Sequence, residues 1–224
     1  MGRRDVRRKR TKSYQYILLS LTRAVKICYN QGIEKKGSFS RFGKQQRFAM
    51  EKQFSEEDLF YMQQALKLAE QAAEEDEVPV GAVVVSDGRL VGRGYNQREQ
   101  GKDATLHAEM SAIRQACATL GGWRIPRATL YVTLEPCPMC AGALVNARIE
   151  RLVYAAPDPK AGAAGTVMNI VEHPVLNHRL QVESGLLAEE SAALLRAFFA
   201  RKREKQKKAA APKQEETDSS IAEE

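Results

Sequence analysis

The pattern of apolar and polar positions predicts helices alternating with short strands from about Ser55 onward. Ser55 precedes three acidic residues, which is typical of a helix N-terminus. Apolar residues then recur with helical spacing as far as Ala73, and we expect this helix to end near Asp76. The run after Pro79 is short and almost wholly apolar (VGAVVV, residues 80–85), which favours a strand buried on both faces.

Turn signals and changes of period predict the remaining elements. Asp87-Gly88 is a hairpin signal, so residues 90–96 should return antiparallel to the first strand. Further elements are expected as a helix from 105–107 to 120, a strand at 129–134, a helix at 137–147, strands at 151–156 and 180–183, and a helix at about 188–205. A strand–helix–strand crossover is right-handed by default, so the third and fourth strands should be parallel. We therefore predict an α/β domain with a mixed five-stranded sheet.

A long segment rich in Gly, Pro and Ala separates the fourth strand from the fifth, at residues 157–178. We expect one helical turn within it, at 167–171. Loops of this length inside a compact domain are usually functional.

Two short motifs carry the candidate chemistry: H-A-E at residues 107–109 and P-C-P-M-C at 136–140. One His and two Cys supply three ligands and leave a tetrahedral zinc ion with an open position, as in catalytic sites. The pattern H-x-E…P-C-x-x-C is the signature of zinc nucleobase deaminases. The predicted zinc ligands are His107, Cys137 and Cys140. Glu109 is predicted to move protons between a zinc-bound water and the base.

A closed structural zinc site is the alternative interpretation of the same residues, and it needs a fourth ligand. The remaining candidates are Cys117, His173 and His178. Cys117 lies on the apolar face of its helix, and both histidines lie in or beside the long loop. A structural site also has no use for a carboxylate next to its ligand, so hydrolysis at an open zinc is favoured.

Charge changes the picture mainly at the two ends of the chain. The net charge is +7, but residues 1–49 hold fourteen Lys or Arg against two acidic residues, so the rest is net acidic. We expect residues 1–49 to be a disordered extension or to precede a true start at Met50, with a basic RNA-contacting arm as the alternative. Residues 50–208 should form the deaminase domain, and residues 209–224 a disordered tail.

Composition also indicates the cellular compartment in which the protein works. The chain has four cysteines and no secretion cleavage pattern. No stretch approaches the ~18–20 apolar residues that a membrane span requires. We therefore predict a protein of the reducing cytoplasm without a membrane anchor.

The chain resembles the bacterial tRNA-specific adenosine deaminases of the cytidine deaminase-like superfamily. The resemblance is carried by VPVGAV at 78–83, GYN at 94–96, HAE at 107–109, TLYVTLEPCPMCAG at 129–142, DPK at 158–160 and NHR at 177–179. It implies a three-layer α/β/α fold with one zinc ion per subunit of a homodimer. It also implies hydrolysis of the wobble adenosine (position 34) in a tRNA anticodon stem-loop to inosine, with release of ammonia.

The resemblance also implies residues that contact the substrate. Asn96 matches the residue that hydrogen-bonds the flipped base, and Asp158 matches an acidic loop residue near the substrate nucleotide. Phe199 and Arg201 match the RNA-contacting C-terminus of the family. Each also has a simpler interpretation, as a turn residue, a core residue or part of a solvated helix end.

Two residues depart from the family pattern near the expected base pocket. Leu106 stands where the family usually has Ala, and we expect it either to crowd the pocket or to pack into the core. Pro157 precedes Asp158 and stiffens a loop that has to accommodate RNA. Neither departure touches the predicted metal ligands.

Two other functions remain open at the level of sequence. One is a zinc-dependent deaminase of free cytidine, cytosine or guanine. The other is a non-catalytic, zinc-stabilised RNA-binding module. The basic C-terminal helix favours RNA as the substrate and Glu109 favours catalysis, so deamination of tRNA adenosine is the leading hypothesis.

Overall fold

The computed structural model describes residues 54–210, which form a five-stranded sheet between two layers of helices. The helices are α1 (Glu56–Glu74), α2 (Arg98–Gly101), α3 (Ala108–Leu120), α4 (Pro138–Ala147) and α5 (Ala188–Ala210). The strands are β1 (Gly81–Ser86), β2 (Arg89–Tyr95), β3 (Ala128–Leu134), β4 (Arg151–Ala156) and β5 (Gln181–Ser184). Within this part of the chain, no helix has the length and apolar character needed to cross a bilayer.

The predictions for residues 1–49 and for most of the C-terminal tail lie outside the described residues. At the C-terminal end, α5 continues through Ala210. The helix is therefore longer than the sequence pattern indicated, and it includes the first two residues that we had assigned to the tail.

The strands are ordered β2-β1-β3-β4-β5. β1 pairs antiparallel with β2 and β3, whereas β3 with β4 and β4 with β5 are parallel. The predicted hairpin, the predicted crossover and the mixed five-stranded sheet are thus confirmed. Because β2, β3 and β4 run in one direction, their carboxyl ends lie at the same end of the sheet.

Alternation along the strands assigns side chains to the two faces of the sheet. On β1, Ala82 and Val84 pack with residues of α3 and α4, whereas Val83 and Val85 pack with residues of α1. Helix α5 contacts α1, β3 and β4. All six residues of β1 are buried, as predicted for a strand covered on both faces. The layers confirm the α/β/α fold.

Helix α3 approaches strand β2 very closely at Gly94. A Cβ atom on residue 94 would lie 2.3 Å from the carbonyl oxygen of Ala108 and 2.7 Å from the backbone nitrogen of Ala112. Only glycine allows this spacing. The position of the first turn of α3 is therefore determined by direct contact between the backbones of α3 and β2.

A buried ionic network joins α1 to the sheet. Ser55 and Asp58 form a capping box, with the Asp58 N–H donating to Ser55 Oγ over 3.0 Å. Asp58 is buried and also accepts hydrogen bonds from the Tyr131 hydroxyl (2.8 Å) and the Arg151 guanidinium. Arg151 reaches Glu183 on β5 at 2.6 Å. The network thus ties α1 to β3, β4 and β5.

We expect Asp58→Asn to lower the free energy of unfolding by about 3 kcal/mol, because it leaves Arg151 without its buried partner. Burial alone would raise the pKa of Asp58, but hydrogen bonds from Arg151, Ser55 and Tyr131 hold it well below its usual range. The unfolded chain therefore binds the proton more tightly. The carboxylate stabilises the fold above about pH 4, and this contribution is lost as the pH falls further.

Denaturant unfolding of both proteins from neutral pH to about pH 3 measures this difference, which should shrink in acid. Asp87→Asn is the matched control, because its ion pair with Arg127 is solvent-exposed on both sides. A difference that is constant with pH, or no larger than that of Asp87→Asn, would contradict the assignment.

The segment between β4 and β5 contains no helix and no strand. The helical turn that we expected at 167–171 is absent, and an isolated bridge joins Ala164 to Asn169 instead. The later part of the segment is attached to the end of α4. There His178 Nε2 bonds to the Ile149 carbonyl at 2.6 Å, and Arg148 donates to Asn177 at 2.8 Å.

Candidate active site

The three predicted metal ligands converge at the carboxyl end of β3. Nδ1 of His107 lies 3.6 Å from Sγ of Cys137 and 3.6 Å from Sγ of Cys140. All three donor atoms lie within 4.8 Å of one another, and Cys140 is buried. Within residues 54–210 this is the one cluster of its kind.

Local structure explains why these side chains meet. His107 is the N-cap of α3 and Cys137 is the N-cap of α4, both in extended conformation. Pro138 occupies the first turn of α4, where its missing N–H costs nothing. Cys140 follows one turn later on the same side of the helix. Two adjacent helix N-termini therefore face one point, and both favour negative charge there.

The two thiols are held in different states of acidity. A hydrogen bond from Cys140 and contact with His107 lower the pKa of Cys137 to about 4, although burial alone would raise it. The same hydrogen bond, together with burial, raises the pKa of Cys140. Two thiolates whose donor atoms lie within 4.8 Å of one another are stabilised by a positive charge between them, as a divalent cation provides.

The donor set fits zinc in geometry as well as in chemistry. With tetrahedral angles, bonds of about 2.3 Å to sulfur and about 2.0–2.1 Å to nitrogen place the two ligand atoms about 3.5–3.6 Å apart. The observed separations of 3.6 Å match this value. Two thiolates and one imidazole also bind zinc in preference to harder cations such as magnesium and calcium.

Glu109 lies in the first turn of α3, beside the ligands. Its side chain is buried, and it does not belong to the three-donor cluster among the described residues. Burial raises the pKa of Glu109 to about 7, against the opposing effects of His107 and of a hydrogen bond with Cys140. A carboxyl group beside the ligands but outside their set is placed to exchange protons with a molecule in the open position.

Asn96 acts as a cap for α3. His107 occupies the N-cap position, but its side chain makes no capping hydrogen bond. Oδ1 of Asn96 accepts the Ala108 N–H instead, over 2.9 Å. Asn96 is buried at the end of β2 and thus fixes the residue that follows the metal ligand. Among residues 54–210, the Asn96 side chain bonds through Oδ1 alone.

The loop before His107 is held by a buried carboxylate that the sequence did not indicate. Oε1 of Glu77 accepts the N–H groups of Glu99 (2.8 Å) and Gln100 (2.9 Å) at the start of α2. Leu106 is half-buried, and its Cδ1 occupies the space beside Gly101 where a side chain would otherwise lie. Leu106 therefore packs on α2, which accounts for its size.

A second buried carboxylate, Glu135, holds the loop after β4. It accepts the Asp158 N–H over 3.0 Å and two further backbone N–H groups of that loop. Asp158 itself is half-buried, and its Oδ1 accepts the Lys160 N–H over 2.9 Å. Asp158 thus shapes its own turn, as in the simpler interpretation of this residue. Pro157 is exposed.

The two adjacent phenylalanines of helix α5 differ in their exposure to solvent. Phe198 is buried, whereas Phe199 is 44% exposed and meets Phe198 edge to face. Arg201 donates to the Ala73 carbonyl at the end of α1, and Lys202 pairs with Asp76 at 2.9 Å. Phe199 is therefore accessible to a ligand, while Arg201 is partly engaged in joining α5 to α1.

Comparison with known proteins places this site in context. A family model described as MafB19-like deaminase matches residues 56–203. The tRNA-specific adenosine deaminase of Bacillus subtilis is 51% identical over 134 residues, which are 60% of this chain and 83% of that protein.

Two solved structures of deaminases are also similar to this chain. One, from a study of A-to-I editing by tRNA:A34 deaminases at the wobble position of transfer RNA, is 49% identical with a TM-score of 0.59. The match covers 61% of this chain and 99% of that one. A guanine deaminase from Nitrosomonas europaea is 27% identical with a TM-score of 0.56, over 62% of this chain and 83% of that one.

Proposed function

We propose that this chain, which belongs to the MafB19-like deaminase family and to the tRNA-specific adenosine deaminases, converts the wobble adenosine of tRNA to inosine by hydrolysis. The observation that carries the proposal is the cluster of His107, Cys137 and Cys140 with the buried Glu109 beside it. The enzyme would act in the cytoplasm, where its thiol ligands stay reduced.

The residues of the site divide the work. Zinc bound by His107, Cys137 and Cys140 would supply the Lewis acidity that lowers the pKa of a water molecule. Glu109 accepts a proton from the attacking water and delivers it to the ring nitrogen next to the reacting carbon. Glu109 then takes the remaining proton from the new hydroxyl group on that carbon and passes it to the departing amino group, so that water and adenosine give inosine and ammonia. Glu109 acts from outside the ligand set throughout.

Asn96 would orient the base. Its Oδ1 is occupied by the Ala108 N–H, which leaves Nδ2 to donate to an acceptor on the adenine ring. Because this contact and the cap of α3 share one amide, the base is held in a fixed relation to His107. Asp158, in the loop after β4, would contact the neighbouring part of the nucleotide.

The C-terminal helix would bind the RNA around the anticodon. Arg201, in the middle of α5, bonds to the end of α1, which leads into β1 at the end of the sheet where β2 and β3 finish. The site and this part of α5 therefore lie at one end of the domain. Phe199 is exposed for stacking on a base, and Arg201 lies among further exposed basic residues suited to phosphate contacts. These are Arg203, Lys205, Lys207 and Lys208.

A homodimer with one zinc per subunit is the proposed assembly. Support comes from the loop after β4, where Val167, Met168, Val175 and Leu176 are all at least 40% exposed. Exposed apolar groups this close together in sequence are typical of an interaction surface. Sedimentation equilibrium of the full chain measures the mass, and a monomer at micromolar concentration would contradict the proposal.

An assay with competing substrates tests the proposed function. We expect the purified full chain to form inosine in an anticodon stem-loop with adenosine at position 34, and none in the same stem-loop with guanosine there. Free cytidine and free guanine serve as parallel substrates, because the guanine deaminase shares this fold.

If product formed only from a free base or nucleoside, the chain would instead be a zinc-dependent deaminase of free cytidine, cytosine or guanine. A zinc-loaded protein that forms no product from any of these substrates would contradict both enzymatic functions. It would leave the RNA-binding module as the better description.

A further inference from the structure

Glu135 is buried between the end of β3 and the metal ligand Cys137, and its carboxylate faces the loop that follows β4. It accepts three backbone N–H groups of that loop, from Asp158 (3.0 Å), Ala164 (3.0 Å) and Thr166 (3.1 Å). The three donors span nine residues of chain. One side chain therefore holds together a segment with no helix or strand of its own.

The backbone around Glu135 holds the same segment. The Glu135 N–H donates to the Ala156 carbonyl and the Ala163 N–H donates to the Pro136 carbonyl, both over 2.8 Å. Contact between loop and carboxylate is tight, because a Cβ on Gly162 would lie 2.3 Å from Glu135 Oε2. The turn that carries the metal ligand and the loop that carries Asp158 are thus one connected unit.

The energetics favour a single loop conformation. A carboxylate removed from water is costly unless hydrogen bonds satisfy it, and here three charge-assisted bonds do so. Ala163 and Ala164 beside it are buried as well. If the loop moved away, the carboxylate and three N–H groups would all lose their partners at once. The loop is therefore ordered before any ligand arrives.

We propose that Glu135 is a positioning residue for the substrate. It holds residues 157–166, and Asp158 among them, at a fixed distance from the Cys137 turn. A loop that is ordered in advance does not have to lose conformational entropy on binding, so substrate affinity rises. The inference rests on the proposed function, since it assumes that this loop meets the nucleotide.

Glu135→Gln tests the proposal, because the amide keeps the shape and presents an NH₂ group where one acceptor oxygen was. We expect KM for the substrate that the wild-type chain deaminates to rise about tenfold, equivalent to about 1.4 kcal/mol. The kcat value should stay within about threefold and the zinc content at one per chain, because the binding lost is common to ground and transition states.

Asp58→Asn is the matched control, since Asp58 is also a buried, multiply bonded carboxylate but lies at the amino end of β4. It should lower the melting temperature and leave KM unchanged. A KM for Glu135→Gln within twofold of the wild type, or an equal rise in Asp58→Asn, overturns the proposal. Failure of the proposed function is distinct, because the wild-type chain would then form no inosine.

Hydrogen exchange of the wild-type chain tests the same point if Glu135→Gln does not fold. The amides of Asp158, Ala164 and Thr166 should exchange at least about a hundredfold more slowly than that of the exposed Asn177. Equal rates would show that the loop is not held by Glu135, and would overturn the proposal.

Discussion

Glu109→Gln is expected to bind zinc as the wild-type chain does and to form inosine about 10³-fold more slowly, which is within the range for loss of a general acid–base group. The substitution preserves the shape of a buried side chain in the first turn of α3. It removes the one property that the mechanism needs, the ability to take up and release a proton. Single-turnover inosine formation and zinc content of the same preparation measure the two effects separately.

The control for Glu109→Gln is Glu70→Gln, an equivalent change at an exposed position of α1. It should leave both activity and zinc content unchanged. If Glu109→Gln lost zinc in proportion to activity, Glu109 would be a ligand and the assignment of its role would be wrong. If it kept full activity, the proton would have to move through another group.

His107→Ala is expected to abolish zinc binding and all measurable turnover, a loss of more than about 10³-fold. Removal of Nδ1 leaves two sulfurs, and two ligands do not hold a tetrahedral ion against competition from water. His173→Ala is the matched control, because His173 is exposed and its Nδ1 accepts only the neighbouring Val175 N–H. Metal analysis after dialysis against a weak chelator measures zinc content in both variants.

The zinc contents of His107→Ala and of Cys117→Ala test the structural-zinc alternative. In the described part of the chain, neither Cys117 nor His178 lies in the cluster: the Cys117 thiol is 3.7 Å from the Trp123 carbonyl, and His178 bonds to the Ile149 carbonyl. A closed site with four protein ligands would need one of these or His173, which also lies outside the cluster. Retention of tightly bound zinc by His107→Ala, or its loss in Cys117→Ala, would contradict an open catalytic site.

The elements and the convergence of the three candidate metal ligands were predictable because their signals are local. The short apolar run of β1 and the hairpin signal at Asp87-Gly88 depend on a few adjacent residues, and both predictions are confirmed. The convergence of His107, Cys137 and Cys140 follows from motif spacing together with the position of each motif at a helix start. Local pattern sufficed wherever neighbours in sequence decide the structure.

The rest depends on contacts between distant segments, which no local pattern contains. The helical spacing of apolar residues in α1 included Leu66 and Ala73, but both are half-buried, while Ala65 and Ala72 are fully buried. Small side chains let that helix lie close to the strands. The size of a side chain therefore decided which residues of α1 face the sheet, more than its hydrophobicity did.

The buried carboxylates show the same limit more clearly. Glu77 and Glu135 are charged residues in the core, and each acts on backbone N–H groups more than twenty positions away. Asn96 likewise reaches across from β2 to the start of α3. A sequence shows that such residues are present, but only the fold shows which amides they meet.

The contact of Gly94 with α3 has a consequence for protein engineering. Variants that accept new bases are usually sought by enlarging or reshaping side chains around a pocket. Here the wall that carries His107 and Glu109 rests on bare main chain, with Ala108 and Ala112 against the strand. Residue 94 has no side chain to trim and no room for an added one. Libraries aimed at substrate scope should therefore diversify the two loops that Glu77 and Glu135 support, and keep residue 94 invariant.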